Sequence, residues 1–204
     1  MRDSLLNGLM ALEPGLGALG ERHDWGLVHR LDRDTSGCLL VALDAPSHAA
    51  LREQFEERRV DKEYLAVVSP PPTRPHGEIS VPLREERRDE MKVSIPARRG
   101  TGKAALTGWQ VRDIVGRRAL LTIRIATGRL HQIRAHMALM GSPVVGDPIY
   151  RPDLPPRTSR PPAGAKPTPL MLHAWRLWFS HPRTGQRVHV ESPPPERLEM
   201  ALRA

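Results

Sequence analysis

The sequence predicts an α+β fold. Extended runs outnumber helical stretches and do not alternate with them, which argues against a doubly wound parallel sheet. The run 119–125 alternates cleanly, with Leu121, Ile123 and Ile125 on one face and Thr122 and Arg124 on the other. At 204 residues the chain fits one domain, 1–204, and can bury a sizeable core.

Leu5, Leu6, Leu9 and Met10 recur at helical spacing, and Pro14-Gly15 ends that helix. The apolar run 38–43 reads as a buried strand. Residues 45–59 read as an amphipathic helix, with Asp44 as N-cap, Pro46 in the first turn and Leu51 and Phe55 four apart. A strand follows at 64–68. Pro70, Pro71, Pro72 and Pro75 then force a loop. A short strand at 77–83 leads into a basic loop or hairpin at 84–103, and strands are predicted at 104–112 and 119–125. Residues 129–140 read as a helix, with Leu130, Ile133, Met137 and Met140 on one stripe and Gly141 as its stop. The Pro-rich stretch 151–169 reads as a surface insertion. Trp175, Leu177 and Phe179 alternate, and a last strand is predicted at 187–191 after a Pro-Arg-Thr-Gly turn.

The charge balance narrows the partners. Lys and Arg total 31 against 23 acidic residues, a net +8, and the pI is near 10.6. This points to a polyanion, nucleic acid first. Aromatic residues are only 4% of the chain, too few for a generic single-strand stacking platform. The one cysteine, Cys38, excludes an internal disulfide and a Cys-rich metal site and fits a reducing cytoplasm. No signal-like start and no long apolar run is present, so the expectation is a cytoplasmic chain with no membrane contact.

Residues 29–37 carry the chemistry: His-Arg-Leu-Asp-Arg-Asp-Thr-Ser-Gly. Asp32 lies between Arg30 and Arg33, and positive neighbours favour a charged carboxylate. A charged carboxylate at a strand edge is a candidate nucleophile. The Thr-Ser-Gly step supplies short side chains that bond their own backbone, and a residue free to take positive φ. Residues 84–103 add Arg87, Arg88, Lys92, Arg98, Arg99 and Lys103, a charge run suited to phosphates. Of the nine histidines, His131 and His136 are five apart and do not share a helix face as a zinc pair does.

Four ordered blocks resemble the RluA-type pseudouridine synthases. They are residues 29–37, Lys62-Glu63-Tyr64-Leu65-Ala66-Val67-Val68, residues 127–136 with 141–150, and Leu172-His173-Ala174 with Phe179-Ser180-His181-Pro182. The resemblance runs from about residue 25 to about residue 195. It implies a mixed, largely antiparallel β-sheet with flanking helices and a central catalytic cleft. It implies an enzyme that isomerises uridine to pseudouridine in structured RNA. Asp32 then matches the catalytic carboxylate, Tyr64 the tyrosine that stacks on the target uracil, and Arg134 the arginine that pairs with the carboxylate. Arg30 matches the residue that helps replace the flipped-out base. Arg33, Arg129 and His131 join the loop cations as expected RNA contacts, and His29 and His173 are expected to be structural.

The chain has 31 residues ahead of Asp32, with neither the Lys-Pro-x-Gly stretch nor the S4 domain common in that family, so an N-terminally short catalytic domain is expected. Neither metal nor organic cofactor is expected, and a monomer is. The predicted substrate is large-subunit ribosomal RNA, on the resemblance of Arg33-Asp34 to the enzymes of the family that act on it, with tRNA as the alternative. A non-catalytic RNA-binding relative is disfavoured because Asp32, Tyr64 and Arg134 are all present. A glycosidase would need a second acid about 5–9.5 Å from Asp32. Asp34, the one close candidate, more naturally caps backbone.

Overall fold

The computed structural model describes residues 4–88, 91–98, 100–151 and 168–204. The Pro-rich stretch read at 151–169 therefore lies, apart from its end residues, outside the described residues, as does Arg99.

Helix α1 (Leu5–Leu12) is capped by Ser4, whose hydroxyl accepts from the Asn7 N–H. The chain then runs through two 3₁₀ segments, Pro14–Leu19 and Glu21–Gly26, to the short strand β1 (Ser36–Gly37). Helix α2 (Ala45–Glu56) starts as the sequence predicts: the Asp44 carboxylate accepts from the Ser47 N–H at 2.8 Å. It stops short of Arg59 because Arg58 turns to φ +59° and the Arg59 N–H bonds back to the Gln54 carbonyl.

The strands β2 (Asp61–Val68), β3 (His76–Ile79), β6 (Thr107–Val115), β7 (Arg118–Ile125), β8 (Leu172–Ser180) and β9 (Arg187–Glu191) join β1 in one sheet. Its order is β1-β8-β2-β7-β6-β3, with β9 also on β8. Every pairing is antiparallel except that of β1 with β8. This is the mixed, largely antiparallel sheet the resemblance implied. Only the first residue of β2 is exposed, as a strand covered on both faces requires. The alternation read in 119–125 is the buried face of β7: Leu121 and Ile123 are wholly covered. Helix α3 (Gln132–Leu139) adds Ile133 and Met137 to this core, and α4 (Glu196–Arg203) adds Leu198, Ala201 and Leu202. A second cluster, including Val28, Leu51, Val60, Leu177 and Phe179, seats α2.

Three expectations are corrected and one open choice is resolved. The run 38–43 is not a strand. Its backbone partners change along its length: the Cys38 N–H donates to the Ala174 carbonyl, Leu40 to the His29 ring, and Ala42 to the Gly26 carbonyl. Of the two readings given for residues 84–103, loop or hairpin, the hairpin is the one found. Strands β4 (Leu83–Arg88) and β5 (Met91–Pro96) form a separate two-stranded sheet in register from Leu83↔Pro96 to Arg88↔Met91. Helix α3 begins later than 129 because His131 takes φ +49°. Helix α4, unpredicted, follows three prolines and shows its apolar stripe only at Leu198, Ala201 and Leu202.

One row across the sheet positions the site. Tyr64 of β2 pairs with Ile123 on one side and with Ala174 of β8 on the other, and Ala174 pairs with Gly37 of β1. At Gly37 φ is +111°, and an added Cβ would lie 2.1 Å from the Ala174 carbonyl oxygen, so only glycine lets β1 close on β8 here.

Candidate active site

Asp32 sits five residues before Gly37, at the start of a turn closed by the Thr35 N–H to the Asp32 carbonyl at 3.0 Å. The short side chains of this turn do not bond their own backbone as the sequence suggested. The Ser36 hydroxyl lies 2.9 Å from His173 Nδ1 and accepts from Arg197 of α4, while the Thr35 hydroxyl is buried with no partner. His173 in turn reaches the Ser192 carbonyl. The turn is thus pinned by β8 and α4.

Neither flanking arginine is the partner the structure gives the Asp32 carboxylate. Arg33 points to Asp34 at 3.6 Å and is 91% exposed, and Arg30 is exposed. Asp34 is thereby an ion-pair partner rather than a backbone cap. The partner of Asp32 comes from α3: Arg134 Nη1 donates to Asp32 Oδ2 at 3.2 Å. The sequence placed Arg134 on a polar helix side. In fact its side chain is only 5% exposed, because α3 is buried nearly all round.

A buried guanidinium needs more than one monodentate contact. Asp147, with a side chain that is fully buried, supplies it. Arg134 Nε donates to Asp147 Oδ2 at 2.7 Å and Nη2 to Oδ1 at 3.0 Å, a bidentate fork. Asp147 Oδ1 also accepts from the Ile149 and Tyr150 N–H groups. Burial alone would depress the Arg134 pKa, but the hydrogen bonds and charge of Asp147, then those of Asp32, outweigh it and raise it. Tyr150 closes the ring. Its ring centre lies 5.3 Å from the Arg134 guanidinium, and its hydroxyl accepts from the Ser94 N–H of β5 at 2.7 Å and lies 3.0 Å from His131 Nδ1. Burial is the main cause that pushes the Tyr150 phenol up to about 12.

The start of α3 is fixed by Gln132. Its side-chain oxygen accepts from the Thr127 hydroxyl and the Arg129 N–H, and its amide donates to the Leu106 carbonyl and the Thr107 hydroxyl. All of this is satisfied inside the protein, so the left-handed His131 is held in place. Gln132, Asp147 and Tyr150 had no role in the sequence reading. Asp147 and Tyr150 stood in the quoted Gly-Asp-x-x-Tyr turn, whose acid and phenol were the available signal.

Tyr64 is buried, and burial first, then the charge of Asp32, raises its phenol well above the ordinary value. It is therefore a neutral ring and not a base at neutral pH. Beside it opens a groove of about 500 Å³, whose lining includes Arg30, Phe55, Lys62, Tyr64 and Arg129. Arg129 is also tethered to the Ala104 carbonyl. The β4–β5 hairpin carries exposed Arg87, Arg88 and Lys92, and Arg98 and Lys103 follow it, also exposed. Part of its charge is internally matched: Arg84 and Arg88 both bond Glu86, and Lys92 lies 3.9 Å from Glu85. These cations are not among the residues that line the groove beside Tyr64.

His131 is directed to Tyr150, and His136 to the Thr107 hydroxyl and the Val81 carbonyl. Burial, then the charge of Arg134 and Arg30, lowers the His131 pKa against the pull of Asp32 and Asp147. Among the described residues no three His, Cys, Asp or Glu side chains group so as to hold a metal ion. The arrangement thus combines a carboxylate held by a buried guanidinium, a neutral buried phenol and a basic groove. That is machinery for acting on a ring carried by a polyanion.

The comparisons with known proteins agree with this chemistry. A family model described as RNA pseudouridylate synthase matches residues 16–139. A relative from Chloroflexus aurantiacus, named an uncharacterized RNA pseudouridine synthase, is 37% identical over 204 residues, 99% of this chain and 60% of the relative. A ribosomal large subunit pseudouridine synthase D from Xanthomonas campestris is 36% identical over 98% of this chain and 60% of its own length. The chain thus spans about 60% of the length of these curated relatives. Among solved structures, human RNA pseudouridylate synthase domain containing 1 superposes with a TM-score of 0.67 at 30% identity, over 83% of this chain and 69% of that one.

Proposed function

Because the chain belongs to the RNA pseudouridylate synthase family, we propose that it isomerises uridine to pseudouridine in RNA, with large-subunit ribosomal RNA as the substrate class. The observation that carries this reading is the Asp32 carboxylate, 17% exposed and held 3.2 Å from the buried Arg134. The reaction breaks the N1–C1′ bond, turns the uracil, joins C5 to C1′ and releases the C5 proton. It needs a carboxylate at the scissile bond and a ring surface for the base. Asp32 is the first and Tyr64 the second. Arg134 orients Asp32, and Asp147 orients Arg134. Tyr64, kept as a phenol by burial, positions the ring and can donate a hydrogen bond. Arg30, Arg33, Arg129, His131 and the cations of residues 84–103 meet the sugar–phosphate chain, which positions the RNA without reading its sequence. The sheet and its helices act as one catalytic unit. No helix among the described residues is long and apolar enough to cross a membrane.

The Xanthomonas relative's name supports ribosomal RNA, as does Arg33-Asp34. Loop uridines are the favoured targets, since they cost least to extrude. The test is tritium release from RNA carrying C5-tritiated uridine, wild type against Asp32→Ala. Release by wild type and none by the variant, with RNA binding retained, is the expected result. Equal release by both removes Asp32 from the mechanism. Pseudouridine mapping in a deletion strain assigns the substrate: an unchanged ribosomal RNA with one reverted tRNA position would replace ribosomal RNA by tRNA.

A further inference from the structure

Lys62 is the unexplained charge in this molecule. The residue is only 9% exposed, yet among the described residues its side chain makes no hydrogen bond or ion pair. The ammonium lies 5.6 Å from the centre of the Phe55 ring. Both acids beside it in sequence are taken: Asp61 by Arg187, and the buried Glu63 by Arg124 and Arg176. The other acid nearby, Glu56, is exposed and faces Arg52. Burial lowers the Lys62 pKa, and the charge of Asp61 offsets this only in part. Buried charges are ordinarily paired, because desolvating an ion with nothing opposite it costs several kcal/mol.

The surroundings say what is missing. Lys62 lines the same groove as Tyr64, two residues further along β2, and as Arg30 and Arg129. Residues two apart on a strand are separated by roughly 7 Å. That is the scale of a nucleotide, from its base to its phosphate. Phe55, which faces the ammonium, is itself stacked on His29 at 4.7 Å. His29 cannot compete as a cation: its Nε2 accepts from the Leu40 N–H, and burial with the charge of Lys62 brings its pKa to about 4.

We propose that Lys62 is the seat for one phosphodiester of the RNA strand at the target uridine, so that Tyr64 takes the base while Lys62 takes the adjoining phosphate. The inference rests on the proposed action on RNA and adds to it a defined anion site inside the groove.

The test uses oligouridylate, in which every register presents a uridine, and follows its affinity against KCl by fluorescence anisotropy. Lys62→Met keeps the stem and deletes the charge. It is expected to lower the slope of log K against log salt by about 0.7, the value for one phosphate of a single strand. Lys62→Arg is expected to keep the wild-type slope. An unchanged slope in Lys62→Met overturns the site, and so does an equal loss in both variants, which would mark a packing role. In the wild type, bound oligouridylate is expected to protect Lys62 from acetylation, read by mass spectrometry. Unchanged labelling overturns the site even if neither variant folds. Tritium release reads the activity separately: an intact slope effect without pseudouridine formation would sink the proposed reaction and leave the phosphate site standing.

Discussion

Changing Asp147 to Asn separates the two carboxylates that share one guanidinium. Asp147 accepts four hydrogen bonds, two from Arg134 and one each from the Ile149 and Tyr150 N–H groups. The amide has one acceptor oxygen. If that oxygen keeps the backbone donors, the amide N–H₂ faces Arg134 Nε, a donor against a donor. The side chain of Arg134 is 5% exposed and would keep the Nη2 bond to that oxygen and the 3.2 Å contact with Asp32, but lose the Nε bond and the charge of its buried anion. Removing one partner of a buried pair costs about 3–5 kcal/mol. At roughly 2–4 °C per kcal/mol for a domain of this size, the melting temperature should fall by on the order of 10 °C. Asp32→Asn is the contrasting perturbation. Its contact is monodentate, and Arg134 keeps the whole Asp147 fork, so the stability change should stay within about 1 kcal/mol. Calorimetric melts of the two variants, with tritium release measured on each, test this. Asp32→Asn should melt like wild type and release nothing. Asp147→Asn should melt early and turn over more slowly at temperatures where it is folded. An Asp147→Asn protein that melts within a degree or two of wild type refutes the assignment of Asp147 as the guanidinium's anchor. An equal destabilisation by Asp32→Asn refutes the division of labour.

Four further outcomes are expected. Gly37→Ala places a Cβ 2.1 Å from the Ala174 oxygen at a φ of +111°, so it should cost about 1–3 kcal/mol in urea unfolding and reduce turnover; wild-type values would show that β1 shifts freely. Tyr150→Phe strands the buried Ser94 N–H at a cost of about 1–3 kcal/mol, and hydrogen exchange at Ser94 should accelerate; unchanged exchange would mean another acceptor takes over. His29, near 6.5 unfolded and about 4 folded, takes its proton more readily unfolded; its contribution is whole above pH 6.5 and is lost on acidification down to about pH 4, a total of about 2–3 kcal/mol. His29→Gln should flatten that part of the stability curve, and a variant with the wild-type slope would assign it to His131 and His136, which burial also lowers. Replacing exposed Arg87, Arg88 and Arg98 by Ala should weaken RNA binding evenly across sequences and reduce its salt dependence; a switched target uridine at constant salt slope would indicate base reading.

Local physics made much of the fold readable. The Asp44 cap, the alternation in β7 and the proline loop after β2 are each decided within a few residues. The run 38–43 misled because apolar content is a statement about burial, while strand identity depends on which backbone lies alongside. Here three different partners do. Helix α4 escaped because an eight-residue helix shows only one short stripe. At the site, the resemblance pointed to Asp32, Tyr64 and Arg134, and the fold brings Arg134 to Asp32 across 102 positions. The supporting layer was not legible. Gln132, Asp147 and Tyr150 act through contacts with Thr127, Arg134 and Ser94, and a linear pattern does not record that a carboxylate has four donors or a hydroxyl two neighbours. Lys62 stood inside a quoted block, but its lack of a partner is visible only once its surroundings are known.

The shared guanidinium has a consequence for the order of events in a catalytic cycle. In the proposed reaction, the buried one of its two carboxylates never meets substrate and the partly exposed one does. Arg134 therefore does not have to find a new orientation when Asp32 is occupied. It lets go of a single contact and remains clamped by Asp147. When product leaves, the guanidinium is already aimed at the place to which the Asp32 carboxylate must return. The resting geometry is stored in the member of the trio that takes no part in the chemistry, so each turnover begins from the same starting point without any part of the sheet or of α3 having to reset.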